Sequence, residues 1–207
     1  MSARGRLFVI SAPSGAGKTS LVRALVARNP ALRVSISHTT RAPRAHEVEG
    51  REYYFVSVPR FLELAGQNAF LEHAKVFDNY YGTGRESVER LRAAGSDVVL
   101  EIDWQGAQQV RAAAPDCHSI FILPPSRVAL EERLRRRQTD SADVIARRLQ
   151  DAVADMSHWN EFDYIVVNDD FERAEADLAH IIAGKGKELA AERDSLRPLL
   201  GSLLHEP

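Results

Sequence analysis

Short apolar runs alternate with segments of helical periodicity along most of the chain. The runs at residues 7–10, 98–102, 119–123 and 164–167 are apolar at successive positions, which is typical of strands buried on both faces. Each run is followed by apolar residues at helical spacing, at residues 18–28, 105–114, 127–137 and 171–183. This alternation predicts an α/β fold with helices on both faces of a parallel sheet. Right-handed crossovers would place the loops that follow the strands along one edge, where ligands bind.

Two segments interrupt the alternation. Residues 33–92 contain strand-like pieces at 34–37, 53–56 and 71–76 and a helix at 59–66. The size of this excursion indicates an inserted subdomain rather than a loop. Residues 135–148 join two helical patterns and are rich in arginine, which is typical of a flap. The predicted domains are a core at 1–32 and 93–207, with an Arg-rich lid at about 135–148, and an insert at 33–92.

Composition narrows the class of protein. The chain has 207 residues, enough for one sizeable core, and its 44% hydrophobic and 27% charged residues are ordinary for a soluble globular protein. A net charge of −2 gives no reason to expect a nucleic-acid partner, because polyanions favour a basic face. The single cysteine, Cys117, has no second cysteine for a disulfide or a zinc site. Since the first apolar run is too short for a signal peptide or a membrane span, we expect a cytoplasmic protein without a membrane partner.

The loop after the first predicted strand carries candidate phosphate chemistry. A Gly-rich turn that ends in Gly-Lys-Thr, between a strand and a helix, cradles the phosphates of nucleoside triphosphates. Backbone N–H groups form a concave donor surface there, and the N-terminus of the helix adds positive potential. Lys18 would reach the β- and γ-phosphates, and the Thr19 hydroxyl suits a Mg²⁺ ligand. The candidate nucleotide-binding residues of this loop are Ala12, Pro13, Ser14, Gly15, Ala16, Gly17, Lys18, Thr19 and Ser20.

One position of this loop departs from the strict pattern, since Ala12 stands where G-x-x-x-x-G-K-[ST] begins with glycine. The alternative is a Gly/Ser-rich turn that merely links a strand to a helix. The order of strand, loop, Lys-Thr and helix favours the phosphate loop. The loop indicates phosphate binding and does not by itself identify a reaction.

A second cluster of candidate phosphate ligands lies in the insert. Arg41 and Arg44 flank Pro43 and could present two guanidinium groups to a single phosphate. Tyr53 and Tyr81 could add neutral donors. For an isolated pair of arginines, a solvated basic turn is an equally good interpretation.

These motifs, taken in order, resemble those of the guanylate kinase family. The matching stretches are the phosphate loop, T-T-R-x-P-R-x-x-E-x-x-G-x-x-Y-x-F from Thr39, and residues 79–83, 100–106 and 167–170. They span residues 7–183, nearly the whole chain. The resemblance implies a P-loop parallel sheet with an inserted GMP-binding subdomain and an Arg-rich lid. It also implies an ATP:GMP phosphotransferase that uses Mg²⁺ and produces ADP and GDP.

The resemblance further implies roles for matched residues on the GMP side. The GMP phosphate would be held by Arg41, Arg44, Tyr53 and Tyr81, and the guanine by Ser37, Glu72, Thr83 and Asp103. Guanine has N1–H and N2–H₂ donors and an O6 acceptor, so carboxylates and a hydroxyl suit it. Glu72 stands in an otherwise apolar stretch, where a carboxylate needs a partner, and a solvent-facing Glu72 is the alternative.

The remaining implied roles concern ATP and the transferring phosphoryl group. Arg133, Arg137 and Arg148 match lid arginines, and Asn168 resembles a residue that lines the adenine pocket. Gln138 stands where the family pattern would have glycine. Glu101 is either an outer-sphere magnesium contact or a solvated strand end. The implied catalytic residues are Lys18, Arg41, Arg137 and Arg148, and the implied metal ligand is Thr19.

Two other functions remain open from the sequence. One is a non-catalytic guanylate-kinase-like scaffold that binds protein partners, and the other is a kinase for a different phosphorylated acceptor. The phosphate loop and the lid arginines argue against the first, and Glu72 with Asp103 against the second. We expect the small molecules GMP and ATP as partners. The apolar tail at 199–204 could pack on the core or on another subunit of a homo-oligomer.

Overall fold

The computed structural model describes residues 3–76, 78–136 and 142–204. The strands are β1 Leu7–Ser11, β2 Leu32–Val34, β3 Ser37–Thr39, β4 Tyr53–Phe55, β5 Phe70–Val76, β6 Asn79–Gly84, β7 Asp97–Glu101, β8 His118–Leu123 and β9 Tyr164–Val167. The helices are α1 Lys18–Arg28, α2 Val58–Gly66, α3 Arg85–Ala93, α4 Trp104–Ala113, α5 Arg127–Arg135, α6 Ala142–Met156, α7 Phe171–Ile182 and α8 Arg197–Leu204. Short 3-10 turns occur at Trp159–Glu161, Lys187–Leu189 and Asp194–Leu196.

A five-stranded parallel sheet has the order β2-β7-β1-β8-β9 and is flanked by helices. The strands predicted from the apolar runs, β1, β7, β8 and β9, all belong to it, and a helix follows each of them along the chain. Every residue of β1 is buried, as expected for a strand covered on both faces. The predicted α/β fold class is therefore confirmed.

The strand predicted at residues 34–37 is wrong, because the structure divides that stretch between two sheets. β2 pairs with β7, with Leu32 opposite Asp97, and the Ser35 N–H donates to the Val99 carbonyl at 3.1 Å. The chain then enters β3, which pairs with β4 and β6 of a second sheet. The strand is interrupted there because β2 and β3 form their backbone hydrogen bonds with different partner strands.

The second sheet has four strands in the order β4-β3-β6-β5. β5 and β6 are antiparallel, with a register shift between Phe70 and Glu72 that places Glu72 opposite Thr83. Behind them Phe61 of α2 stacks on Phe70 and Tyr80, with ring centroids 4.7 and 5.3 Å apart. β6 and α3 were not expected from the sequence pattern. This sheet holds most of the residues predicted to bind GMP.

The chain divides into two compact units, Met1–Val9 with Pro30–His118 and Ile10–Asn29 with Ser119–Pro207. The first unit is anchored by the buried Arg92, which donates to the Gly5 carbonyl at 3.0 Å and pairs with Asp116. In the second, Arg28 of α1 pairs with the buried Glu175 of α7 at 2.5 Å. The predicted boundaries of the insert, at 33 and 92, remain a prediction.

The C-terminal stretch consists of short helical elements. The chain beyond residue 183 forms two 3-10 turns before α8 begins at Arg197. Leu200 and Leu203 of α8 are buried in the same unit, and Arg127 donates to the Leu203 carbonyl at 2.7 Å. The apolar tail therefore packs on the core of its own chain. Among the described residues, none of the helices is both long and apolar enough to cross a membrane.

Candidate active site

The predicted phosphate loop connects β1 to α1. Gly15 and Gly17 have φ angles of +90° and +95°, a conformation that favours glycine. The Ala16 N–H donates to the Pro13 carbonyl at 3.2 Å, which tightens the turn. Gly17 is the N-cap of α1, and no described side chain caps that helix. The N-terminus of a helix, with its positive potential, is a site that favours an anion such as a phosphate.

Asn168 and Arg133 brace this loop through backbone carbonyl groups. The buried Asn168 follows β9 and donates its side-chain Nδ2–H to the Ala16 carbonyl at 2.7 Å. A Cβ atom on Gly17 would lie only 2.5 Å from Asn168 Nδ2, so this contact also requires glycine. Arg133 of α5 donates to the Asn168 carbonyl at 2.8 Å and to the Ala16 carbonyl at 3.5 Å. The predicted contacts of both residues with ATP remain predictions.

The structure describes the predicted lid at residues 135–148 only in part. α5 ends at Arg135, and α6 begins at Ala142. Arg148 is half-buried on α6, whereas Arg137 and Gln138 lie outside the described residues. The remaining loop residues, Ser14, Thr19 and Ser20, have exposed side chains around the start of α1.

The predicted guanine ligands form a polar cluster in the first unit, in which Glu72 and Thr83 are buried. Glu72 is 5% exposed and accepts a 2.5 Å hydrogen bond from the Thr83 hydroxyl. The Ser37 hydroxyl lies 3.5 Å from that of Thr83. The alternative of a solvent-facing Glu72 is therefore wrong. The strand register explains the pairing, since β5 places Glu72 opposite Thr83 of β6.

Asp103 joins this cluster from the start of α4. Its carboxylate is the N-cap of the helix and accepts a hydrogen bond from the Gly106 N–H at 2.7 Å. A Cβ atom on Gly106 would lie 2.8 Å from Glu72 Oε2 and 3.4 Å from Asp103 Oδ1. The two carboxylates thus approach Gly106 together. Ionised carboxylates only accept hydrogen bonds, so the cluster suits a ligand edge with several N–H donors.

Arg41, Tyr53 and Tyr81 form a second cluster in the same unit. The Arg41 guanidinium lies 5.5 Å from the centre of the Tyr53 ring, and the rings of Tyr53 and Tyr81 are 6.0 Å apart. Burial raises the pKa of the Tyr53 hydroxyl, and nearby Tyr81 and Glu101 raise it further. The phenol therefore stays protonated at neutral pH and can donate to a phosphate. Only 17% of the Arg41 side chain is exposed, so a fully solvated basic turn is wrong for this arginine.

Glu47 is a residue of this cluster that sequence reasoning missed. Its carboxylate oxygens accept hydrogen bonds from Arg41 Nη2 at 2.8 and 2.9 Å and from the Arg44 N–H at 2.8 Å. These hydrogen bonds lower the pKa of Glu47 to about 2, and the bond from Arg41 has the largest effect. The Arg44 side chain is 67% exposed, and its guanidinium lies 4.0 Å from Glu47. The sequence signal that could have identified Glu47 is the glutamate at the end of the T-T-R-x-P-R-x-x-E pattern.

Comparison with known proteins decides the family. A family model described as guanylate kinase matches residues 4–185. The chain belongs to the guanylate kinase family. Guanylate kinases from Salmonella typhimurium and Escherichia coli K12 are each 52% identical to it over 204 residues, which cover 98% of this chain and 99% of each relative. The guanylate kinase of Shewanella denitrificans is 53% identical over 205 residues, covering 99% of both chains.

A solved structure agrees with the sequence relatives. The crystal structure of guanylate kinase from Anaplasma phagocytophilum has a TM-score of 0.73 and 33% sequence identity, and the match covers all of this chain and 99% of that one. The resemblance inferred from the motifs is thus confirmed. As a member of the guanylate kinase family, the chain is an ATP:GMP phosphotransferase that converts GMP and ATP to GDP and ADP.

Proposed function

We propose that the chain reads GMP with the two clusters of its first unit and holds ATP with the phosphate loop of its second. The buried Glu72, bonded to Thr83 and adjoining Gly106 beside Asp103, is the observation that carries this proposal. A buried carboxylate is costly unless donors surround it, and the N1–H and N2–H₂ groups of guanine are such donors. In this proposal Ser37 and Thr83 supply the hydroxyl groups that complete the recognition of the base.

The GMP phosphate would lie against the second cluster. Arg41 and Arg44 would supply charge, and the protonated hydroxyl groups of Tyr53 and Tyr81 would supply neutral donors. These residues all belong to the inserted subdomain that we propose at residues 33–92, with the remaining chain as the core. Neutralisation of the acceptor phosphate is essential, because a dianion repels an incoming phosphoryl group.

The transfer itself needs no covalent enzyme intermediate. An oxygen of the GMP phosphate forms a bond to the γ-phosphorus of ATP while the bond from that phosphorus to the bridging β–γ oxygen breaks, and ADP leaves. Lys18 at the start of α1 would stabilise charge on the β- and γ-phosphates, and the backbone N–H groups of the loop would hold the α- and β-phosphates. Arg133, Arg137 and Arg148 would stabilise the transferring group, and Asn168 would line the adenine site.

The donor set around the loop fits a magnesium ion that is bound with the nucleotide. The described residues contain no group of three or more His, Cys, Asp or Glu side chains that could hold a metal. Mg²⁺ is commonly held by a few protein oxygens together with substrate phosphates, and the exposed Thr19 hydroxyl on α1 is such an oxygen. When bound, the ion would neutralise charge on the β- and γ-phosphates.

We propose a cytoplasmic enzyme whose partners are GMP and ATP rather than nucleic acid or membrane. The net charge of −2 and the single, buried Cys117 support this assignment. A homo-oligomer is compatible with the fold, although the burial of Leu200 and Leu203 removes the tail as an argument for one.

Replacement of Lys18 tests the catalytic assignment. The Lys18→Met variant should lose turnover by about a hundredfold or more, because the transferring charge loses a fixed cation. Its affinity for GMP should stay within about twofold, since the GMP ligands lie in the other unit. ADP release in a coupled assay and GMP titration by calorimetry measure the two effects.

The exposed Lys185 supplies the matched control, since Lys185→Met removes a lysine of the same unit that has no assigned role. That variant should keep the turnover of the wild-type enzyme. Near-normal turnover of Lys18→Met would contradict the assignment.

A further inference from the structure

We propose that Glu47 is a positioning residue that fixes both arginines of the GMP phosphate site. The inference rests on the proposed function, which assigns Arg41 and Arg44 to that phosphate. The inference adds a residue to which the motif comparison assigns no role. The chemistry of phosphate binding assigns it none either, because a carboxylate repels the phosphate that the site would hold.

Arg41 is held from two sides. Nη2 donates to both oxygens of Glu47, at 2.8 and 2.9 Å, and Nη1 donates to the Ala42 carbonyl at 2.8 Å. Only 5% of the Glu47 side chain is exposed, so this pair is shielded from water. A guanidinium has five N–H donors, and these contacts use one edge of it. The hydrogen bonds with Glu47 and with Tyr81 both raise the pKa of Arg41.

The same carboxylate also shapes the backbone around Arg44. Oε2 of Glu47 accepts the Arg44 N–H at 2.8 Å, and the Glu47 N–H donates to the Arg44 carbonyl at 3.0 Å. These reciprocal bonds close the turn between the two residues. The Arg44 guanidinium lies 4.0 Å from Glu47 and remains mostly exposed, where a ligand can reach it. One side chain thereby fixes the guanidinium of Arg41 and the backbone from which Arg44 projects.

Two physical effects of Glu47 oppose each other. Its negative charge, present throughout the neutral range because the pKa is about 2, weakens the attraction between the site and a phosphate. Its hydrogen bonds remove rotamer freedom from Arg41 before the ligand arrives, so less freedom is lost on binding. The part-buried contact of Arg41 Nη2 with both Glu47 oxygens favours the second effect, because an arginine already held in place presents its remaining donors to the phosphate without reorganisation.

The test compares the binding of GMP with that of guanosine, which lacks the phosphate but keeps the base. In the Glu47→Gln variant the affinity for GMP should fall about tenfold, the effect of losing a charge-assisted hydrogen bond. The affinity for guanosine and the KM for ATP should stay within about twofold. The Glu47→Asp variant should show the same selective loss, because it keeps the charge but is too short to reach both Arg41 and the Arg44 N–H.

Glu52→Gln is the matched control. Glu52 lies in the same segment and accepts hydrogen bonds from the Val48 N–H and from Arg51 Nε, both at 2.8 Å. It therefore combines a backbone contact and an arginine contact as Glu47 does, but these described side-chain hydrogen bonds join it to no assigned ligand of GMP. This variant should bind GMP, guanosine and ATP as the wild-type enzyme does.

The outcomes separate the inference from the proposed function. Equal losses for GMP and guanosine would show that Glu47 only keeps the subdomain folded and would overturn the inference. Unchanged or tighter GMP binding in Glu47→Gln would overturn it too, since Glu47 would then be inert or a competitor of the phosphate. If the wild-type enzyme itself failed to prefer GMP over guanosine, the proposed phosphate site would be wrong, and the inference with it.

Discussion

At the scale of single residues, the burial of Glu72 is what makes it a candidate to discriminate between bases. An ionised carboxylate at 5% exposure is costly unless donors compensate it. Thr83 supplies one such donor at 2.5 Å, and the N–H groups of guanine would supply more. Adenine, with an acceptor at N1 and no 2-amino group, would place lone pairs against the carboxylate. In its proposed role, Glu72 would therefore favour guanine both by binding its donors and by opposing adenine.

Removal of the Glu72 charge should reduce the discrimination between guanine and adenine. In the Glu72→Gln variant the ratio of kcat/KM for GMP to that for AMP should shrink by about tenfold to a hundredfold. The change should come chiefly from GMP, because an amide can turn a donor or an acceptor to either base. Glu63→Gln, which alters an exposed glutamate on α2, is the control and should keep the wild-type ratio. An unchanged ratio in Glu72→Gln would show that Glu72 does not read the base.

The environment of His38 in the first unit indicates that the free energy of unfolding depends on pH. Its half-buried ring packs against Tyr54 and Phe70, and Nδ1 has no hydrogen-bond partner within the described part of the chain. Burial lowers the pKa of the imidazole. Below a pH of about 6.5 the unfolded chain takes up a proton at His38 that the folded protein resists. The free energy of unfolding should therefore fall as the pH falls from about 7.5 to 5.5.

The His38→Gln variant should lose part of that pH dependence, whatever its stability at neutral pH. Urea unfolding at the two pH values measures the difference directly. The exposed His46 supplies the control, and His46→Gln should retain the slope of the wild-type protein. A slope in His38→Gln as steep as in the wild type would contradict the argument.

At the scale of elements, the start of α4 serves the fold and the site together. Asp103 was predicted from the family motif as a guanine ligand, and the structure shows that it also caps the helix through the Gly106 N–H. An Asp directly before a helical pattern is a standard N-cap signal, so this second role was available from the sequence. The close approach of Glu72 to Gly106 could not be predicted from the sequence, because it depends on how β5 packs against α4.

Gly106 gives a prediction that separates binding from stability. Alanine is favoured over glycine in a helix by about 1 kcal/mol, so Gly106→Ala should gain helix propensity. Its Cβ atom would lie 2.8 Å from Glu72 Oε2 and must displace that carboxylate. We expect the KM for GMP to rise about tenfold while the KM for ATP is unchanged.

The corresponding control is Gly201→Ala on α8, where an added Cβ atom would meet nothing within 4 Å. It should leave both KM values unchanged. Steady-state kinetics with each substrate varied in turn measures both variants. If Gly106→Ala kept the wild-type KM for GMP, displacement of the Glu72 carboxylate would not weaken GMP binding, and the prediction would be wrong.

The elements that the sequence predicted well are those with strong apolar periodicity. Uninterrupted apolar runs predicted β1, β7, β8 and β9. The pattern did not predict β2, because Arg33 and Val34 on this short strand are exposed. β6 contains Asn79, Gly82 and Gly84, residue types that are depleted in strands and interrupt its pattern. It forms because β3 and β5 pair with its two edges, a tertiary effect that local pattern cannot reveal.

At the scale of the whole molecule, the candidate ligands divide between the two units. The residues proposed for GMP lie in Pro30–His118, and the phosphate loop from residue 12, with Arg133 and Asn168, lies in the other unit. The order of motifs along the chain was sufficient to predict these sets. It could not predict the contacts that hold them, such as the bond from Asn168 to Ala16 or the pairing of Glu47 with Arg41.

The choice of phosphate acceptor tests the account most directly. A coupled ADP-release assay on the wild-type enzyme would compare kcat/KM for GMP, IMP and AMP. We predict that IMP, which keeps N1–H and O6 but lacks the 2-amino group, falls below GMP by about tenfold to a hundredfold. AMP should fall below GMP by about 10⁴ or more, because its edge places lone pairs, rather than N–H donors, against the carboxylates. Comparable use of AMP and GMP would contradict the assignment of Glu72 and Asp103 as the guanine-reading residues.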